Sequence, residues 1–549
     1  VLSMPARRLL ALLALAAAPV LVVGVFFVVP VAGMLARGVW PDGDFAPGAV
    51  LEVLARPRTG RVLWFTVWSA SVATVCAVLL GLPAAYALHR LEFPLRRLLR
   101  AALLVPFVLP TVVVGVAFRQ LLGEAGPLGF LGLDGTPVAI VAGLVFFNVS
   151  VVIRTVGGAW ETLDPRPAEA AAALGATPWQ VLRTVTLPAL RPAIVSAATV
   201  VFLFCATSFG VVLILGGPRY ASVESEIYLL TTNLLDLPAA AALSLVQLFA
   251  VLALLSVAAR LRAVPDPTVA RLAPRPRRPR AGDWPQLAGT GLLLVLVSAP
   301  IVTLVVGSLR VDGAWGLGNY RALGSVGSRD ALVVPVTEAL EMSLRTAVDA
   351  TAMALLVGLL VALVVTRRSR GRAERRLRGL LDGFFMLPLG VSAVTLGFGF
   401  LITLDRPPLD LRDAGLLVPI AQALVALPLV VRTLVPVLAG IDDRQRQAAA
   451  SLGAGPLRTL VTVDLPVTWR PLLAAAGFAF AASLGEFGAT AFLARDDRPT
   501  LPVVIFRLIG HPGAMNYGMA LAASVVLAAT TTAVMLAVER LRVPSVGAL

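Results

Sequence analysis

The sequence predicts an all-α polytopic membrane protein, built as two tandem halves of six transmembrane helices each. Three observations carry that expectation. The 549 residues are 58% hydrophobic and only 14% charged, with a mean hydropathy of +0.89. Apolar runs of about 20 residues, the length that crosses a ~30 Å hydrocarbon core, recur along nearly the whole chain. Finally, EAAAALGATPWQVLRTVTLP (Glu169 to Pro188) returns as QAAASLGAGPLRTLVTVDLP (Gln447 to Pro466), so that Gly453 repeats Gly175 and Pro466 repeats Pro188 at an offset of 278 residues.

The net charge of +15 would suggest nucleic acid in a soluble chain. Here the arginines gather in short loops between apolar runs, the pattern of the positive-inside bias, so nucleic acid is not an expected partner and membrane lipid is. Every basic side chain of this class is arginine, with no lysine anywhere. A P-loop needs its lysine to reach the β- and γ-phosphates, which excludes a standard ATP site in this chain. Cys76 and Cys205 both lie in apolar runs and read as small buried hydrophobes, giving neither a disulfide framework nor a metal site. Only two histidines are present, and no acid, base or metal cluster converges on one membrane face, so no catalytic residue is expected.

In order, span 1 is expected at Leu9 to Leu35. Arg7 and Arg8 precede it, but the run is too long for a signal-peptide core, so it reads as a retained span. Span 2 (Val62 to Leu88) enters the Arg90, Arg96, Arg97, Arg100 loop, which places that loop in the cytoplasm. Span 3 (Ala101 to Leu122) contains Pro106 and Pro110, and span 4 (Val138 to Ala159) carries Asn148. The first repeated loop follows, then span 5 (Ala193 to Leu215) and span 6 (Ala239 to Ala259). A basic, proline-rich linker at 263–284 divides a first half, 1–262, from a second, 285–549. Spans 7 to 12 are expected near Leu287 to Val306, Leu344 to Val365, Leu380 to Leu404, Leu416 to Leu438, Leu472 to Leu493 and Met519 to Ala537. Six spans per half put both termini and the arginine loops on the cytoplasmic side, and give the halves a parallel two-fold relation.

The repeat extends beyond the loops: Arg154-Thr155 matches Arg432-Thr433, Asp164 matches Asp442, and Phe209-Gly210 matches Phe487-Gly488. Within the loops, 164–192 and 442–471, the alanine run predicts a helix, Gly175 its end, and Thr177-Pro178 the start of another. Pro188 and Pro192 mark re-entry into the membrane. One such hairpin would be unremarkable for a membrane protein. Two at matched positions require a shared purpose.

Glu169, Ala170, Ala171, Gly175, Val185, Leu187 and Pro188 form the pattern E-A-A, three residues, G, nine residues, an aliphatic, any residue, L-P. The second copy has Gln447, Ala448, Ala449, Gly453, Val463, Leu465 and Pro466, with glutamine in place of the acid. This signature resembles the binding-protein-dependent ABC importer permeases of the type I, EAA-loop fold. Double-length permeases of this layout are typical of thiamine and ferric-iron importers, and segments 209–228 and 483–506 look closest to the thiamine permease. The resemblance implies a transport subunit of a bacterial plasma membrane that carries no cofactor itself. It also implies two copies of a cytoplasmic ATPase subunit that bind ATP and Mg and dock on the two loops, and an extracytoplasmic binding protein that delivers a small solute, thiamine or, alternatively, ferric iron. A proton-coupled secondary transporter also has two parallel halves of six spans, but gives no reason for the loop pattern.

Pathway candidates are ionisable or polar residues inside spans, which cost ~2.5 to 3.5 kcal/mol at a helix centre when charged. Glu486 is expected roughly 21 Å into span 11, with Ser208 as its counterpart. It reads either as a wall that favours a cation or as a carboxylate capped by a neighbour, and a similar G-E-F-G stretch also resembles oxyanion permeases. Asn148 and Asp349 are further candidates, with Arg345 placed to pair Asp349 at i,i+4.

Overall fold

The structure, a computed structural model, describes residues 4–40, 46, 48–103, 105–217, 219–261, 276–367, 371–404, 411 and 415–541. It is helical almost throughout, as a chain in hydrocarbon must be to satisfy every backbone N–H and C=O internally. Among the described residues the exception is a two-stranded hairpin, Arg310–Val311 against Ala314–Trp315. Its turn residues Asp312 and Gly313 both have positive φ, +49° and +82°.

Among the described residues ten helices are long and apolar enough to cross a membrane. They correspond to expected spans 1, 2, 4 to 8 and 10 to 12, with boundaries shifted by several residues. Spans 3 and 9 are built in pieces. In the first half Arg96–Ala102 and Val105–Val108 are followed, across a 105° bend at Pro110, by Thr111–Leu122. In the second, Arg372–Met386 leads through the 3-10 turn Leu387–Gly390, which holds Pro388, into Ala393–Thr403. Proline removes the donor and blocks the preceding helical turn, so each run that hydropathy reads as one span becomes a surface helix plus a short apolar one.

Spans 5 and 11 also start earlier than expected, at Leu187 and Leu465, and stop at Ala206 and Leu484. Each then breaks and resumes as a short helix, Gly210–Gly216 and Thr490–Leu493. Two further short helices, Val223–Thr232 and Leu501–Gly510, begin 278 residues apart.

The chain packs as two compact units that do not coincide with the two sequence halves. One comprises Val1–Val53, Ile227–Leu248 and Tyr320–Leu549, the other Leu54–Glu226 and Phe249–Asn319. The first span of each half has changed places. Span 1 (Met4 to Val39) packs on second-half helices, with Phe26 6.1 Å from Phe400 between ring centroids and Pro30 against Gly399. Span 7 (Trp284–Ser308) packs on first-half helices, where Gly289 faces Pro83. Within each unit the central contact is the same. Gly81 of span 2 (Pro57–Arg90) lies against Val152 of span 4 (Pro137–Thr162), and Gly358 of span 8 (Val336–Thr366) against Val430 of span 10 (Leu417–Ala439). Small residues at these points bring the helix backbones close, where dispersion replaces the absent hydrophobic drive.

The expected linker, 263–284, lies outside the described residues up to 275. Its end is not free chain. Arg277 pairs with Leu91 in a parallel bridge, donating its N–H to Arg90 O at 3.0 Å and accepting from Glu92 N–H at 2.8 Å. Its guanidinium reaches Asp283 Oδ2 and Oδ1 at 2.7 and 2.8 Å and Tyr86 Oη at 2.8 Å. The hydrogen bonds to Asp283 hold the Arg277 pKa above its ordinary value.

Candidate functional site

The two repeated loops adopt one backbone. Asp164 accepts the N–H of Arg166 at 3.0 Å, and Asp442 that of Arg444 at 3.0 Å, each opening a short helix, Arg166–Ala173 and Asp443–Ser451. Both helices end identically. Gly175 and Gly453 take φ of +90° and +80°, and their N–H groups bond Ala172 O and Ala450 O at 3.0 Å. The following amides, Ala176 and Ala454, reach back to Ala171 O and Ala449 O at 3.1 and 3.0 Å. This is the Schellman closure, which needs a left-handed residue and therefore glycine.

The second helix of each loop is a single turn, Pro178–Val181 and Pro456–Thr459. In the first copy Thr177 and Gln180 cap it reciprocally, Gln180 N–H to Thr177 Oγ1 at 3.3 Å and Thr177 N–H to Gln180 Oε1 at 2.8 Å. Gly455 stands at the matching position of the second copy. Each turn runs through a π-helical turn, Leu182–Thr186 and Leu460–Asp464, straight into span 5 or 11. The expected separate hairpin with re-entry at Pro188 is therefore corrected. Pro188 and Pro466 come directly after the π turns, whose wider bonding, Leu187 N–H to Leu182 O and Leu465 N–H to Leu460 O, accommodates a residue with no N–H, so the backbone stays helical and loop and span form one continuous rod.

Exposure follows the same register. Glu169 and Gln447 are both exposed, and neither side chain makes a hydrogen bond or ion pair among the described residues. At the corner Leu174 is 90% exposed and Leu452 86%, with Trp179 at 65% and Leu457 at 79% one turn on. Large apolar side chains are thus held open at matched tips, beside polar backbone corners. Ala170, Ala171, Ala448 and Ala449 form the stems, while Leu187 and Leu465 anchor the span ends. The sequence pattern located these stems and corners. It missed the exposed Leu174, Trp179, Leu452 and Leu457, whose signal was present as large apolar residues beside both glycines.

The four pathway candidates divide between the two units, Asn148 and Ser208 in one, Asp349 and Glu486 in the other. Asn148, 1% exposed, donates through Nδ2 to Leu144 O at 2.9 Å and lies 3.3 Å from Cys205 Sγ, while its Oδ1 has no partner among the described residues. Ser208 is buried in the break after span 5, where its carbonyl accepts from Ser222 Oγ at 3.5 Å. Glu486 lies beyond the end of its span. Its carboxylate accepts the N–H groups of Ala489 at 2.7 Å and Thr490 at 3.1 Å, which leaves it serving the helix that follows. Asp349 is exposed on span 8, and Arg345 pairs with Glu341 at 2.5 Å instead.

The profile of the family described as "Binding-protein-dependent transport system inner membrane component" matches residues 77–271 and again 354–542, more than half of the chain. The chain belongs to that family. Each match spans one of the two repeated loops, so the duplication read from the sequence is a duplication of a whole permease domain. The permease is 30% identical over 464 residues to the thiamine transport system permease protein ThiP of Escherichia coli, covering 82% of this chain and 83% of that protein. The corresponding protein of Brucella abortus is 28% identical over 465 residues, 82% of each. A shorter match, 36% over 155 residues, is to the molybdenum transport system permease protein ModB of Azotobacter vinelandii, covering 27% of this permease and 69% of that one. The permease is a multi-pass membrane transport component, not itself an enzyme.

Proposed function

We propose that the permease forms the membrane path of an ATP-driven thiamine importer. The supporting observation is the 30% identity to a thiamine permease along more than four-fifths of both chains. The matches along most of the chain are to thiamine permeases, whereas the match to a molybdenum permease covers 27% of it.

In this reading the loops Glu169 to Pro188 and Gln447 to Pro466 lie in the cytoplasm with both termini, and each receives one copy of an ATPase subunit that holds ATP and Mg. An extracytoplasmic binding protein delivers thiamine to the opposite face. Closure of the ATPase pair moves the loops. Because each loop continues through a π turn into span 5 or 11, the displacement passes along the rod to the breaks at Thr207 to Phe209 and Gly485 to Ala489. Among the pathway candidates Asn148 is the strongest, since its buried carbonyl has acceptor capacity to spare, whereas Glu486 is engaged by backbone amides.

Reconstitution of the full chain with its ATPase subunit and binding protein in vesicles tests the proposal. ATP-dependent uptake of radiolabelled thiamine is expected, uncompeted by ferric iron. Uptake by the permease alone under a proton gradient would overturn the ATP-driven reading.

A further inference from the structure

The two loops share a backbone but are fastened differently. Asp464, the last residue of the second π turn, has a side chain with no solvent exposure. Its Oδ1 accepts from Arg446 Nε at 2.8 Å and its Oδ2 from Arg367 Nη2 at 3.4 Å. Arg446, next to Gln447 in the loop helix, also donates to Asp443 Oδ1 at 3.0 Å and to the carbonyl of Leu438 at 3.1 Å. One carboxylate and one guanidinium thus tie together the loop helix, the end of span 8 at Arg367, the end of span 10 at Leu438 and the start of span 11.

The first copy has no buried carboxylate at this point. Asp464 is matched by Thr186, Arg446 by Ala168 and Asp443 by Pro165, while Arg367 is matched by Arg90 at the end of span 2. Arg90 does not rebuild the tie: its Nη1 reaches the carbonyl of Trp160 at the end of span 4 at 3.5 Å, and the charge that attracts it from the loop helix is the exposed Glu169. The first loop is therefore joined to its spans without a buried ion pair. Shear between packed surfaces is cheap, whereas parting a buried ion pair strands an unpaired charge.

We infer that Asp464 is a positioning residue that locks the second loop to spans 8, 10 and 11, so that the two ATPase docking points transmit motion unequally, the second rigidly and the first through a pivot at its π turn. The inference rests on the loops being ATPase docking points.

The test converts the second loop to the chemistry of the first with the double variant Arg446→Ala/Asp464→Thr, alongside Asp464→Asn, in the full chain with its ATPase subunit. Because the first loop folds with alanine and threonine at these positions, the double variant is expected to insert and to co-purify with the ATPase subunit as the unaltered chain does. Hydrogen exchange with and without ATP then reads the start of each span. The nucleotide-dependent change at 465–470 is expected to vanish while that at 187–192 remains, and thiamine taken up per ATP hydrolysed to fall about tenfold. Unaltered exchange and uptake ratio in the double variant would overturn the inference. So would loss of ATPase-subunit binding in both variants, which would make Asp464 a support for the loop's fold and nothing more. An unaltered complex that hydrolyses ATP without moving thiamine counts against the substrate alone, because the exchange measurement needs no substrate. A chain that binds no ATPase subunit overturns the docking reading and this inference with it.

Discussion

Arg58 grips Glu226 through both carboxylate oxygens, Nε to Oε1 at 2.5 Å and Nη2 to Oε2 at 2.9 Å, joining the start of span 2 to the short helix Val223–Thr232 across 168 residues of chain. In the second half their counterparts are Pro335 and the buried Val504, neither of which carries a charge. The first half carries this charged tie at the start of span 2, and the second carries the Asp464 tie at the start of span 11.

Glu226→Gln should therefore destabilise the unit that contains span 2. Glu226 is 3% exposed but Arg58 45%, so the loss falls below the range for a fully buried pair, at about 2 kcal/mol. Thermal unfolding in detergent measures it. Val504→Ala, at the matching site, should cost about 1 kcal/mol and show no dependence on salt.

Alanine at Gly175 or Gly453 meets no atom within 4 Å, so its cost is backbone strain alone, about 1 to 2 kcal/mol for a left-handed residue. The amides of Ala176 and Ala454, which close the corners, should exchange about 5 to 30 times faster in the respective variants. A bulky residue such as tryptophan should add disruption of docking, leaving insertion intact while uptake is uncoupled from ATP hydrolysis.

Replacing Leu174 and Trp179 together, or Leu452 and Leu457, by serine removes apolar side chains that touch solvent in the permease itself. Stability should change by less than about 0.5 kcal/mol. Affinity for the ATPase subunit, read by co-purification or titration, should drop at least about tenfold if these tips are the buried anchors of that contact.

Asp283→Asn weakens two charge-assisted hydrogen bonds to Arg277, worth about 1.5 to 3 kcal/mol each. The strap formed by residues 276–283 should then open more often, and the Glu92 N–H that it shields should lose protection from exchange.

The loops were legible because their geometry is local. An alanine run, a glycine and a Thr-Pro step dictate helix, left-handed corner and new turn within a few residues, and the repetition showed that the pattern has a purpose. Spans 3 and 9 were misjudged as single helices because hydropathy averages a window and carries no direction, although Pro106, Pro110 and Pro388 were in view. Glu486 was correctly singled out as an acid in an apolar run, but its role turned on where span 11 stops, at Leu484. Arg446 and Asp464 are 18 residues apart, and nothing in their spacing announces a pair until the π turn brings them together.

The exchange of first spans was invisible for a related reason, since an apolar helix surface does not say which neighbour it fits. Its consequence concerns the order in which the permease is made. Span 1 leaves the ribosome first but packs on helices beyond residue 320, and the helices of 54–226 wait for span 7. The unit that holds span 1 cannot close until the whole of the other has been synthesised. Early intermediates in the bilayer must therefore hold a helix without its mate, and residues 1–261 and 276–549 made as two separate chains should still purify together.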